Sequence, residues 1–419
     1  MLVYSGNCGI RALRRQGSSA KAVEEDVVMA RGRGMEIVRL KAQDYDEWLW
    51  VLNTVFTKQN KREMDFEKEL PKMCVKDDEH MGKHFAVKDN GKIYALVGIY
   101  TLPVKCGNKE LMFSTVGNVA TLPEQEGKGY MRMLMKEAMR ELDRIGADAS
   151  RLGGVRQRYN RYGYEMCGME YSFVIDDFTT RYCFNDEEEI VLKEISANDK
   201  KQLAFINFLR KSLPMHVQRS ADDTFFGDFA TLCIGKNVPY IAENKQGNTL
   251  GYLSVSGDLK KIAEVNAVSL EALKKILFYW QKNVKKPITF ALSPLDTEAV
   301  KYFSQVAADM KMASPCLFKI INYDKVANAL IKQKASNTQV LCNGERIIGI
   351  KEWGNIRLYH KDGEAFCEKT DRKADFMLDK LTASRFLFGP FMTHTVVDSD
   401  EFLSQVLPLP LGWSKLDRV

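Results

Sequence analysis

Along the chain the spacing of apolar positions changes several times, and each change predicts an element. MEIVRLKA, from Met35, is strand-like, and the acid-rich KAQDYDEWLWVLNTVF that overlaps its end is helix-like. HFAVKDNGKIYALVGIYTLPVKCGNKELMFSTVGNVATL reads as a meander of strands, turning at Asp89-Asn90-Gly91 and again at Gly107-Asn108. From Tyr130 the period lengthens. Met131, Leu134, Met135, Ala138, Met139, Leu142 and Ile145 form one stripe of an amphipathic helix, and Arg132, Lys136, Glu137, Arg140 and Glu141 lie outside it. Gly146 is placed to stop that helix. A strand, ASRLGGV, and a knot of tyrosines follow.

After the acidic turn NDEEE at 185–189 the order repeats. EIVLKEI is strand-like, ANDKKQLAFINFLRKSL helix-like, VPYIAENKQGNTLGYLSVSG a pair of strands, SLEALKKILFYWQKNV a helix and PITFAL a strand. This echo suggests a diverged duplicate of the first unit, without a Gly-x-Gly before its helix at Ser269. From about 326, YDKVANALIKQ predicts a helix and RIIGIKEWGNIRLYHKDGEAFCEKT strands. ADFMLDKLTASRFLFGP predicts a strand leading into a helix that stops at Gly389-Pro390. The chain is therefore read as α+β in three units, 35–185, 186–325 and 326–419, with residues 1–34 a poorly ordered extension.

Composition narrows the classes. The chain has 419 residues, 45% hydrophobic and 28% charged, a globular balance. A net charge of +6 with no dense Lys/Arg tract does not point to nucleic acid. Nine widely spaced cysteines without C-x-x-C argue against a disulfide framework or a zinc site and fit a reducing, cytoplasmic setting. His80 and His84 are four residues apart but lack the glutamate of H-E-x-x-H, so no metal is expected. No apolar run approaches the ~18 residues of a membrane span.

The chemistry gathers at GNVATLPEQEGKGYM, residues 117–131. A strand, a glycine-bearing loop and a helix start make an anion site. The first N–H groups of a helix have no partners, and its dipole is positive there. Glycine lets a phosphate approach the backbone closely, and Lys128 adds positive charge. The same Gly-x-Gly also serves as a plain turn.

This strand–loop–helix resembles the acetyl-CoA site of the GCN5-related N-acetyltransferases, with Glu126 where Gln or Arg is usual and Met131 where Gly or Ala is usual. RQRYNRYGYE, residues 156–165, resembles the tyrosine-glycine-tyrosine signature of the Eis-type (enhanced intracellular survival) branch. ADFMLDKLTASRFLFGP, 374–390, resembles its sterol-carrier-like C-terminal domain. The resemblance covers 35–419. It implies an acetyl-CoA-binding acetyltransferase domain (35–185), a degenerate second acetyltransferase-like domain (186–325) and a sterol-carrier-like domain (326–419), assembled as a homo-oligomer, a hexamer. Backbone groups of Val119 and Thr121 would pair with the pantetheine amide. Backbone N–H groups near Gly127, Lys128, Gly129 and Tyr130 would hold the pyrophosphate of acetyl-CoA. Tyr159 falls at the position of the general acid, and the carboxylate of the terminal residue, Val419, at that of the base. The acceptor implied is a primary amine: an aminoglycoside, a polyamine or a lysine side chain.

These roles suit the reaction. An amine of pKa near ~10.4 must shed a proton, the thioester oxygen needs a donor, and the leaving thiolate needs a proton that a tyrosine can give. An α-carboxylate is a weak base unless desolvated, so Val419 acts either as base or by positioning. VLPLPLGWSKLDRV is apolar and proline-stiffened up to Trp413, which suits a docked segment, a strand on its own domain or an oligomer surface. Apart from the resemblance, Tyr159, Tyr162 and Tyr164 also read as aromatic core, and Arg156 and Arg158 as a solvated face. The rival to an enzyme is a protein that binds acyl-CoA or an apolar ligand without turnover.

Overall fold

The computed structural model describes residues 35–184, 189–219, 237–337, 341–390, 396–398 and 400–417. The extension read over 1–34 and the terminal residue Val419 lie outside the described residues. Strands β1 (Met35–Arg39), β2 (His84–Asp89), β3 (Lys92–Cys106) and β4 (Lys109–Thr121) form the predicted antiparallel meander. Its turns fall where Asn90 and Gly91, and then Gly107, adopt the left-handed conformation that tight turns require. The helix Tyr130–Arg144 carries β4 over to β5 (Ala149–Leu152), which lies parallel to β4. A crossover of this kind is what parallel neighbours need.

The next pairings join segments distant in sequence. β6 (Glu165–Cys167) does not lie beside β5; a later strand lies between them. β7 (Glu170–Ile175) leaves for another sheet. β8 (Ile190–Glu194) and the helix Lys200–Lys211 lead to β9 (Met215–Val217), which pairs with the far end of β3. β8 also edges a sheet with β10 (Asn237–Asn244), β11 (Thr249–Ser256) and β12 (Ile262–Ala267). β13 (Ile288–Leu292) and β14 (Asp309–Ala313) flank β7 on either side. β15 (Cys316–Ile320) is the strand between β5 and β6. Among the described residues the first sheet thus has eight strands, ordered β1-β2-β3-β4-β5-β15-β6 with β9 on β3.

The last unit holds β16 (Gly344–Ile350), β17 (Gly354–Lys361), β18 (Glu364–Thr370) and β19 (Phe376–Leu378), ordered β18-β17-β16-β19. The helix Lys380–Phe388 starts as its sequence predicts. Asp379 caps it by accepting from Thr382, and it ends at Gly389. The helix at Leu270 is likewise capped by Ser269, whose side chain accepts from Ala272.

Each face of the first sheet has its own core. Val87, Val97, Ile99, Val116 and Leu152 pack against Leu134, Met135, Ala138 and Leu142 of the helix Tyr130–Arg144. On the opposite face Ala86, Leu96, Tyr100 and Ala120 meet Trp48, Val51 and Leu52 of the helix Tyr45–Asn60. Farther along β3 and β4 on this second face, Val104, Leu111 and Phe113 join one cluster with Ile348, Phe386 and Trp413. The C-terminal unit is therefore continuous with the core of the first sheet.

Candidate functional site

The site begins where two strands part. β4 and β5 pair from Phe113↔Ala149 to Val116↔Leu152, where the ladder stops. β4 continues to Thr121, held on its other edge by β3 through Gly98↔Gly117, Leu96↔Ala120 and Ala95↔Thr121. The edge of residues 117–121 that faces away from β3 therefore carries backbone groups outside any strand ladder, and such groups demand partners. Val119 and Thr121 lie on this stretch.

A register shift between Leu96 and Gly98 and a left-handed Asn118 (φ 51°) mark a bulge here. Asparagine tolerates that conformation better than most residues. The buried Asn118 Nδ2 donates to Tyr100 Oη at 2.8 Å, and Tyr100 Oη lies 2.8 Å from His84 Nε2. His84 Nδ1 lies 3.3 Å from the Met81 carbonyl, which can only accept, so Nδ1 carries the proton and Nε2 accepts from Tyr100. Burial pushes the His84 pKa down to about 4, which keeps the ring neutral near pH 7.

Beyond the strand, a short turn at Pro123–Gln125 leads to Gly127 (φ 80°) and Gly129 (φ 85°). Both need the left-handed conformation that glycine adopts freely. A Cβ on Gly127 would meet nothing within 4 Å, and one on Gly129 would reach only Arg132 Nη2 at 3.9 Å. The turn thus has open space on the Cβ side of both glycines. The helix Tyr130–Arg144 starts with no side-chain cap and no acidic residue in its first turn. Its leading N–H groups and dipole remain oriented toward that opening. Lys128 Nζ donates to Gln125 Oε1 at 2.6 Å. The Tyr130 ring is buried, stacks on Tyr94 and donates to Met35 Sδ, so only its backbone serves the turn.

Tyr159 closes a short helix, Arg156–Tyr159, just past the end of β5. It is buried in the cluster that holds Tyr130, Val116 and Leu152, the last paired residue of β5, and against which Val119 packs. A Cβ on Gly154 (φ 154°) would come 2.6 Å from the Tyr159 ring, so glycine admits this close approach. Burial raises the Tyr159 hydroxyl above its usual pKa, with Arg158 opposing, so the phenol stays protonated. Tyr164, fully buried with its Oη 2.7 Å from Ser150 Oγ, is core. Arg156, its side chain still partly exposed, clamps the buried Glu165, its Nη2 donating to Oε2 at 2.7 Å.

The tail docks. Leu409 N donates to the Leu387 carbonyl at 2.7 Å, and Met169 N to the Leu411 carbonyl at 2.7 Å. Trp413 stacks on Phe113 of β4 (5.7 Å, 7°) and meets Phe318 of β15 edge-on (5.8 Å). Farther on, Lys72 Nζ donates to the Leu416 carbonyl at 3.4 Å, and Arg219 Nε to Asp417 Oδ1 at 2.7 Å. Arg219 also holds Glu264 at 2.8 Å. Burial alone would raise the Glu264 carboxyl, but Arg219 and Arg210 outweigh it and hold the pKa well below its usual range. Beside the tail lies a cavity of about 490 Å³, lined by Val104, Trp413, Asp417, Glu264, Glu170 and Asp296 among others. Val419 lies outside the described residues.

The structure thus brings Val119, Thr121, Gly127, Lys128, Gly129, Tyr130 and Tyr159 around one strand–turn–helix. Sequence reasoning missed the chain His84–Tyr100–Asn118 and the pair Thr115 and Arg151. Thr115 and Arg151 face each other across β4 and β5, both nearly inaccessible. Thr115 Oγ1 and Arg151 Nε and Nη1 have no hydrogen-bond partner. The arginine in the short strand ASRLGGV was the available signal. Among the described residues no His/Cys/Asp/Glu group suits a metal ion, and no helix is long and apolar enough to cross a membrane.

Residues 36–167 match the family model of the acetyltransferase (GNAT) domain. No curated protein sequence matches the chain. Similar solved structures include a protein of unknown function from Enterococcus faecalis V583 described as a probable N-acyltransferase. It has 16% identity and a TM-score of 0.64, over 90% of this chain and 97% of that one. The GCN5-related N-acetyltransferase of Kribbella flavida has 15% identity and a TM-score of 0.60, covering 91% and 98%. Eis1 of Mycobacterium abscessus has 12% identity and a TM-score of 0.61, covering 91% and 99%. At these identities the structural likeness is one of fold, a GNAT/Eis-like fold over nearly the whole chain. The matched residues 36–167 contain the parted strands, the glycine turn and Tyr159, and they form an N-acetyltransferase domain.

Proposed function

We propose that this N-acetyltransferase moves the acetyl group of acetyl-CoA directly onto a primary amine in a ternary complex. Backbone groups of Val119 and Thr121 pair with the pantetheine arm along the free edge of β4. Backbone N–H groups of Gly127, Lys128, Gly129 and Tyr130 bind the pyrophosphate, with the helix dipole adding to the attraction. The neutral amine nitrogen attacks the thioester carbonyl carbon to form the N–C bond, the C–S bond breaks, Tyr159 gives its proton to the departing sulfur, and the proton shed by the new amide nitrogen restores the phenol. The terminal carboxylate of Val419 takes the ammonium proton or positions the amine. The observation that carries this reading is the parting of β4 and β5 at Val116 and Leu152, directly before the uncapped glycine turn. The buried, protonated phenol of Tyr159 beside that junction supports its role as a donor.

The finer features rest on resemblance to Eis-type proteins. They are an aminoglycoside, polyamine or lysine amine as acceptor, a cytoplasmic setting, a second acetyltransferase-like domain over 186–325 and a sterol-carrier-like domain over 326–419. A homo-oligomer, a hexamer, belongs with them. An exposed edge strand, β14, with Met310 and Met312 on its surface, supports association.

Calorimetric titration with acetyl-CoA, followed by free-thiol release over a panel of amines, tests the reading. Binding with turnover of at least one amine is expected. Binding with no thiol release on any amine favours an acyl-CoA-binding protein without turnover.

A further inference from the structure

Arg151 is 3% exposed in the middle of β5, yet its Nε and Nη1 donate to nothing. Thr115, directly opposite on β4, is 1% exposed, with Oγ1 equally unpartnered. Strand alternation gives their side. Ser150 and Leu152 face the helix Tyr130–Arg144, through Tyr164 and the apolar cluster there. Arg151 therefore faces the other way, with Phe113, Phe318 and Trp413. Tyr100 sits opposite Thr115 on β3. A row Tyr100–Thr115–Arg151 thus crosses the sheet one residue before β4 and β5 part.

A buried guanidinium with no partner is costly, and a strand that needed only a core would place an aliphatic residue there. Its planar fork of N–H donors matches a carboxylate, two bonds at once. We propose that Arg151, with Thr115 beside it, binds a carboxylate at the acceptor end of the split sheet. Where the acceptor supplies that carboxylate, it is an amine that carries one, such as an amino acid or a peptide terminus, rather than a polycation. This rests on the acetyl-transfer reading above. The carboxylate has two possible sources: the acceptor, or the chain's own terminus. Trp413 covers Phe113 and Phe318, neighbours of the row, and Val419 follows Asp417 by two residues.

The test uses lysine, lysinamide and cadaverine as probes, with thiol release and calorimetry. It compares the native chain, Arg151→Gln, and a chain extended by two glycines after Val419. If the acceptor supplies the carboxylate, the native chain prefers lysine by ~10²-fold in kcat/KM, the scale of truncating a buried charge pair. Arg151→Gln erases that preference through KM, leaves acetyl-CoA affinity unchanged and, by removing an unpaired charge, raises the Tm of the empty protein. The extension leaves the preference intact. If Val419 supplies it, the extension and Arg151→Gln depress all three probes alike. Either pattern supports the carboxylate site, and the two separate its source. Identical kcat and KM for Arg151→Gln and the native chain on every probe overturn it. So does a fall in Tm with loss of acetyl-CoA binding, which marks a purely structural arginine. If no probe releases thiol, the transfer reading fails, and lysine titrated onto CoA-loaded protein decides the site alone. Binding lost in Arg151→Gln supports it, and equal or absent binding in both overturns it.

Discussion

Tyr159 and His84 are two buried titratable groups whose burial acts in opposite ways. Desolvation favours the neutral form of each, which raises the phenol pKa and lowers that of the imidazole. For Tyr159 this preserves a proton to donate. Tyr159→Phe should lower kcat by ~10²-fold or more while acetyl-CoA affinity, measured by calorimetry, stays put. A kcat within twofold of the native value would remove Tyr159 from proton transfer. For His84 the consequence is a stability that depends on pH. The unfolded ring protonates near pH 6.5, but the folded ring does so only near 4, so the unfolded chain binds more protons between these values. The contribution of His84 is fully present above about pH 6.5 and is lost as pH falls toward 4, by about 3 kcal/mol in all. Tm measured across this range for the native chain and His84→Gln should show the gap between them shrinking with acid. A constant gap would contradict the neutral-ring assignment.

At the scale of elements, the helix Tyr130–Arg144 and the turn before it were legible because their signals are local. The apolar stripe, the glycines and the stop at Gly146 all lie within thirty residues of sequence. Local signals likewise gave the hairpins at Asn90 and Gly107. The parting of β4 and β5 was not legible, since register between strands is a tertiary fact. The bulge at Asn118 and the empty guanidinium of Arg151 were hidden for the same reason. The open glycine turn makes a direct prediction. Gly127→Val has room for its side chain but must hold a β-branched residue at φ 80°. It should weaken acetyl-CoA binding by ~10-fold or more in calorimetry, while far-ultraviolet circular dichroism keeps the native helix content. Unchanged affinity would mean the pyrophosphate lies elsewhere.

For the whole molecule, the first sheet is completed by distant parts of the chain. β15 inserts between β5 and β6, and β7 leaves to pair with β13 and β14. Composition marks changes near 185 and 325, but strands pair across 185 and the helix Tyr323–Asn337 spans 325, and no local pattern announces such pairing. The sequence left the apolar tail open as a docked segment, a strand on its own domain or an oligomer surface, and only the tertiary contacts show it docked. Trp413 anchors it between Phe113 and Phe318, and Trp413→Ala should cost ~3–5 kcal/mol of burial where it docks. Because the tail leads to Val419, thiol release by Trp413→Ala should drop more than acetyl-CoA binding does. Equal losses of both would point to general unfolding. The exposed strand β14 belongs to this scale as well. For the association proposed through β14, Met312→Lys should yield smaller species than the native chain in sedimentation, and an unchanged distribution would contradict an interface there.

The account is tested most directly by a crystal structure of the protein with acetyl-CoA bound. The predicted result places the diphosphate against the backbone of 127–130, the pantetheine along 117–121, and the sulfur within hydrogen-bond reach of the Tyr159 hydroxyl. A diphosphate bound away from the start of that helix, or a sulfur remote from Tyr159, would contradict it.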